Sequence, residues 1–229
     1  MANQRDEMQA YLEPSTYVDS GADSVVVFTR RVVQGRADPV ERAVALYYAV
    51  RDEITYTPYC DFRSLETYRA SGCLARGAGF CVGKAALLAA SARAAGIPAR
   101  VGFADVRNHL ASERLKKLMR TDVFYYHGYA ELHLDGRWVK ATAVFDRGLC
   151  EKFGVRPLEF DGREDSLFQA FDPGGRRHME YLHHHGASVD VPVAAIIETF
   201  ERHYPNLTAA GATRPDQFRN EASSAAETG

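Results

Sequence analysis

Apolar residues recur at helical spacing in several stretches of the chain. Val25, Phe28 and Val32 predict a helix over Ala22 to Val33. A second helix is predicted from Asp38 to about Asp52. Asp38 can cap it, Pro39 suits its first position, and Glu41 stands three residues after Asp38 as in a capping box. Ile54-Thr55-Tyr56 reads as a short extended piece ended by Pro58. Ser64 to Ser71 reads as a short helix and Gly72 to Gly79 as a loop. Alanine and leucine dominate Cys81 to Ala95, a helix with Gly96 and Pro98 as its stop signal. Ala99 to Val106 follows as a strand. His109 to Arg120 reads as an amphipathic helix, with Leu110, Leu115, Leu118 and Met119 as its apolar side. Beyond Gly148 the pattern predicts a short helix, an extended Val155 to Phe160 and an acidic loop. A helix from near Arg177 and another over Val193 to His203 complete the pattern.

Two strands, Asp122 to Leu134 and Arg137 to Val144, flank Asp135-Gly136, a two-residue hairpin signal. With that pair at the turn, Leu134 faces Arg137 and His127 lies opposite Val144. Alternation then puts Tyr125, His127, Tyr129 and Glu131 on one face with Thr142 and Val144. Thr142 and Asp146 become diagonal neighbours of His127, about 7–8 Å away at the backbone.

The 229 residues suffice for one substantial core. The predicted layout is an N-terminal arm over residues 1–21, one domain over 22–207, and a disordered tail over 208–229 that is poor in residues to bury. A net charge of -2 gives no electrostatic footprint for nucleic acid, and no apolar run is long enough to span a bilayer. The polar N-terminus carries no secretory pattern, so the expected compartment is the cytoplasm, where thiols stay reduced. None of Cys60, Cys73, Cys81 and Cys150 forms a Cys-x-x-Cys pair. They are read as free thiols, and Cys60, Cys73 and Cys150 as packing residues.

Cys81 differs from the others in position. It follows a glycine-rich loop and opens a helix, where the positive end of the helix dipole favours thiolate. A helix-start cysteine followed by a strand histidine, His127, points to nucleophilic catalysis. Gly79-Phe80-Cys81, then Gly96-Ile97-Pro98-Ala99-Arg100, then His127-Gly128-Tyr129-Ala130-Glu131 with Asp135-Gly136-Arg137-Trp138-Val139 resemble the transglutaminase-like core of the papain-like superfamily. The resemblance covers about Ser71 to Asp146. It implies an α+β fold, with the helix carrying the nucleophile packed on an antiparallel sheet and extra helices at both ends.

By that resemblance Cys81 matches the nucleophile and His127 its base. The family's Asp, which follows the Trp-Val pair after two intervening residues, is here Thr142. The nearby carboxylate is Asp146, to which the orienting role is assigned, with Thr142 or no carboxylate as alternatives. The implied reaction is amide hydrolysis or acyl transfer through a thioester on a small molecule or peptide, with no cofactor. First-turn N–H groups would steady the oxyanion.

Tyr125, Tyr126 and Tyr129 are candidates to shape a substrate pocket, with Thr142 beside them. Lys84 and Arg76 are read as surface cations, with an electrostatic pull on the thiol as the alternative. His183-His184-His185 on a helix would point in different directions and suit one metal ion poorly. Two other functions stay open, a non-catalytic binding module on the same scaffold and a metal-dependent hydrolase using the histidine-rich segment.

Overall fold

Every residue of the helix from Cys81 to Arg93 is buried, so this element has no solvent side and must lie inside the molecule. The computed structural model describes residues 8–109, 111–168, 178–210 and 217–226, and it builds the fold around that helix. The predicted apolar position Leu110 lies outside the described residues.

Helix α1 (Asp23–Val33) and helix α2 (Pro39–Glu53) both pack on the central helix. Asp38 caps α2 as predicted, accepting from the Glu41 N–H at 3.0 Å. Strand β1 (Thr55–Tyr56) pairs in parallel with β2 (Ala78–Gly79). Between them lie a 3-10 turn (Leu65–Thr67) and helix α3 (Ala70–Arg76). Helix α3 occupies most of the segment predicted to be a loop. Its glycines read as breakers, but burial of Ala70 and Cys73 holds the turn, and Gly77 ends it at a φ of 59°.

The central helix is α4 (Cys81–Ala94). It lies across an antiparallel sheet of order β5-β4-β3-β6, formed by β3 (Ala99–Asn108), β4 (Val123–Leu134), β5 (Arg137–Ala141) and β6 (Met179–Ser188). The architecture is α+β, as the sequence implies. Asp135 and Gly136 take φ values of 48° and 80°, both positive as a type I′ turn requires. Leu134 pairs with Arg137 and Ala130 with Ala141, the predicted register. The ladder ends at Ala141, short of Val144.

Three elements differ from expectation. The amphipathic helix after β3 is shorter than predicted: α5 spans Glu113–Met119, with Ser112 capping its start and Arg120 ending it at a φ of 59°. The segment after His178 is strand β6, not a helix. It supplies antiparallel partners to the open edge of β3, from Val101–Ser188 to Asn108–Met179, and this tertiary pairing overrides local pattern. The C-terminal stretch is not devoid of structure. After α6 (Arg147–Phe153) and α7 (Val193–His203) come α8 (Pro205–Ala210) and α9 (Gln217–Ala226). Phe218 of α9 is buried against Tyr56, Tyr59 and Phe153.

The N-terminal arm is tied down by two charged groups. Asp190 accepts from the N–H groups of Thr16, Tyr17 and Val18, at 3.0 to 3.1 Å. Arg93 donates to the Glu13 carbonyl at 2.7 Å. Among the described residues no helix is long and apolar enough to cross a membrane.

Candidate functional site

Cys81 is the first residue of α4, and Phe80 before it is extended, so the side chain leaves at the open N-terminal turn. That turn rests directly on β4. A Cβ on Gly128 would come within 2.9 Å of the Val82 Cα and 3.2 Å of the Val82 nitrogen, so only glycine permits this approach. The backbone N–H groups of Gly128, Val82 and Cys81 itself face the sulfur.

The thiol is nevertheless not a thiolate. Burial pushes it up to about 11, and the three N–H groups only partly offset that. The expectation of a helix dipole favouring thiolate therefore yields to desolvation in this closed state. Burial likewise lowers His127 to about 4, and no charged neighbour contributes. At neutral pH the site holds a neutral thiol and a neutral imidazole.

The structure brings Cys81 against the peptide that joins His127 to Gly128. Gly128 faces α4, so by strand alternation His127 leaves β4 on the other side. There its ring meets Phe168, with centroids 5.7 Å apart. Among the described residues no hydrogen bond joins Cys81 to His127, and the His127 Nε2 is buried without a partner. The Thr142 Oγ1 is also buried, and it faces the Tyr181 hydroxyl. The Thr142 carbonyl accepts from the Tyr47 hydroxyl at 3.2 Å, and its N–H donates to the Ser166 carbonyl at 3.0 Å.

Asp146 does not orient the imidazole in this structure. Its Oδ1 caps α6, accepting from the Leu149 N–H at 3.0 Å, and pairs with Arg219 at 2.7 Å. The Oδ2 has no hydrogen-bond partner. The diagonal predicted between Asp146 and His127 assumed that the ladder ran past Ala141.

The tyrosines separate. The β3–β4 register shifts between Ala104 and Val106, and Tyr126 takes a φ of 53°. This bulge breaks the alternation that would have put Tyr125 on the His127 face. Tyr125 instead lines an apolar pocket of about 30 Å3 that has Cys81 in its wall. Leu115 and Met119 of α5, Phe124 of β4, Phe200 of α7 and Leu207 of α8 close around it. Tyr126 stacks on His185, at 4.2 Å between centroids. Tyr129 is buried against Gly102, and neither it nor Thr142 reaches this pocket. Sequence reading missed Leu115, Met119, Phe200 and Leu207 as site residues. They belong to ordinary amphipathic stripes, which say that a residue is buried but not what it is buried beside.

The predicted surface cation Lys84 is fully buried. Its Nζ donates to the carbonyls of Arg51, Ile54 and Val144 at 3.0, 2.6 and 2.8 Å, and burial lowers its pKa to about 8. It is a pin between elements and does not figure among the groups that shift the Cys81 thiol. The histidine run lies exposed on edge strand β6. His185 meets Asp105 at 2.7 Å and His184 stacks on Tyr181. Among the described residues no three His, Cys, Asp or Glu side chains are disposed to hold a metal ion. The acidic loop is occupied by its own backbone and neighbours: Asp161 accepts from the N–H groups of Arg163 and Glu164, and Glu159 from the Tyr48 hydroxyl.

The His127 environment carries a pH signature. Its folded pKa of about 4 lies below the ordinary value near 6.5, so the unfolded chain binds the proton more readily. The stabilising contribution is complete above pH 6.5 and is lost as pH falls through the window down to 4, by about 3 kcal/mol. Urea unfolding at pH 7.5 and 4.5 is expected to show a stability drop smaller by about 2–3 kcal/mol in His127→Leu than in the wild type. Equal drops in the two proteins would mean that His127 is not buried neutral.

The model of the transglutaminase-like superfamily matches residues 27–143, just over half of the chain. The match includes Cys81, His127 and Thr142 and stops short of Asp146. Among solved structures, a candidate cysteine protease from Cytophaga hutchinsonii superposes with a TM-score of 0.51 at 18% identity. The alignment covers 83% of this chain and 50% of that one. The chain thus spans half the length of that protein. A candidate protease from Parabacteroides distasonis aligns over 52% of this chain and 23% of its own, with a TM-score of 0.37 and 15% identity. No curated protein matches the chain.

Proposed function

The chain belongs to the transglutaminase-like superfamily, and from that premise we propose that it is a cysteine enzyme that hydrolyses or transfers an acyl group through a thioester on Cys81. The observation that carries this reading is the seat of the sulfur. It lies at the N-terminus of a buried helix, faced by three N–H groups, against the His127–Gly128 peptide.

In this reading the Cys81 sulfur attacks the carbonyl carbon of an amide or ester, and its proton passes to His127. The N–H groups around the sulfur are placed to steady the oxyanion as it forms. Collapse breaks the bond to the leaving amine or alcohol, which takes the proton from His127. Water or an acceptor amine, deprotonated by His127, then cleaves the thioester. The neutral resting pair fits proton transfer during attack rather than a preformed ion pair. Ring and sulfur must come within hydrogen-bond reach as substrate enters. Packing against Phe168, rather than a carboxylate, holds the imidazole meanwhile. A small molecule or peptide is the substrate class we favour.

The closed, neutral site also suits a non-catalytic module on the same scaffold, and alkylation separates the two. Iodoacetamide labelling followed by mass spectrometry across pH 6–10 is expected to modify Cys81 ahead of Cys60, Cys73 and Cys150, and more slowly in His127→Ala. Labelling of Cys81 no faster than that of the other three, unaffected by His127, would favour the module.

A further inference from the structure

The pocket beside Cys81 has a chemistry of its own. Its wall is built from aliphatic and aromatic side chains drawn from five separate elements, and Cys81 is its one strong nucleophile. The polar handles that tyrosines could have offered are partly consumed. The Tyr204 hydroxyl donates to the Val123 carbonyl at 2.7 Å and accepts from the Tyr125 N–H at 2.6 Å. The Tyr125 ring is stacked on His203, 4.1 Å between centroids. Among the described residues no Asp, Glu, Lys, Arg or His lines the space, so a charged substituent entering it would lose its water without gaining a partner.

We propose that this pocket is the acyl subsite of the enzyme and that it selects uncharged, apolar acyl groups. The inference rests on Cys81 being the nucleophile and adds what that nucleophile is acylated with. An acyl donor places its carbonyl carbon at the sulfur and its chain between Met119 and Phe200. The S–C bond forms, the bond to the leaving alcohol or amine breaks, and the thiol proton leaves on that group by way of His127. The space in this closed state is only about 30 Å3, so an acyl chain enters by parting the apolar side chains around it. Carboxylated acyl groups such as succinyl are refused.

Intact-mass and peptide-mapping spectrometry of the full chain with 4-nitrophenyl esters tests this. The series runs from acetate through butyrate to hexanoate, with phenylacetate and succinate as comparison acyl groups. Acylation of Cys81 is expected to quicken with chain length, by up to about fourfold per methylene. Hexanoate and phenylacetate are expected to exceed succinate at least about tenfold. Met119→Trp, which fills the space with another apolar group, is expected to abolish the gain from acetate to hexanoate. If acetate, hexanoate and succinate acylate Cys81 at equal rates, the subsite is overturned and the nucleophile stands. If none acylates Cys81, the nucleophile assignment fails and the subsite falls with it. The wild-type series decides between these outcomes even if the variant does not fold.

Discussion

Cys81→Ala is expected to lower acyl-ester turnover at least about 10³-fold while leaving the fold intact. The lost atom is small, and the void it leaves should cost about 1 kcal/mol, well within what a domain of this size tolerates. A thiol that only packs would show the same small stability change and no change in turnover, so the ratio of the two effects is diagnostic. His127→Ala should give a loss of the same order. The double variant should lose little more than either single one, because residues acting in one step are not additive. Turnover that survives Cys81→Ala within about tenfold would remove the enzymatic reading and leave the binding module.

Lys84→Ala is expected to cost about 3–5 kcal/mol, a large part of a typical domain's stability. The ammonium is the shared donor for the carbonyls of Arg51, Ile54 and Val144. Those groups belong to the end of α2, the lead into β1 and the segment before α6, and α4 holds them all through this one side chain. Removing it leaves buried acceptors without a donor, each worth about 1–3 kcal/mol. Urea unfolding at pH 7 measures the loss, and a midpoint within about 1 kcal/mol of the wild type would refute the pin.

The same group gives a pH test. Its folded pKa of about 8 lies below the ordinary 10.5, so between those values stability rises with pH, on top of what its hydrogen bonds contribute at pH 7. The stability gap between wild type and Lys84→Met should therefore widen as pH rises from 8 to 9.5. A constant gap would contradict a buried charge.

Lys84 also illustrates what the sequence conveys and what it hides. Judged as a single residue, a lysine belongs on the surface. Judged as part of α4, it has no surface to occupy. Elements specified by near neighbours were legible: the capping box of α2, the Asp135-Gly136 turn, α7 with both its ends. Strand β6 was not, because its partner β3 lies some seventy residues earlier and three successive histidines show no alternation. The two principal residues of the proposed site can be nominated from local pattern, and their relation cannot. Helix-start cysteine and strand histidine can be read from local pattern. The bulge at Tyr126, the end of the ladder at Ala141 and the turn of Asp146 towards Leu149 and Arg219 are tertiary outcomes. The shift from thiolate to thiol is tertiary too, since helix position is local and burial is not.

Four thiols, all buried and all raised above the ordinary cysteine range, have a consequence for life in the presence of peroxide. Peroxide attacks thiolate, and the first product, sulfenic acid, opens the path to irreversible sulfinic and sulfonic acids. A resting Cys81 that keeps its proton and its cover stays off that ladder. In the proposed reading its exposure to oxidant is confined to the moments when a substrate has opened the site, and durability between turnovers comes from the same burial that makes the sulfur wait for one.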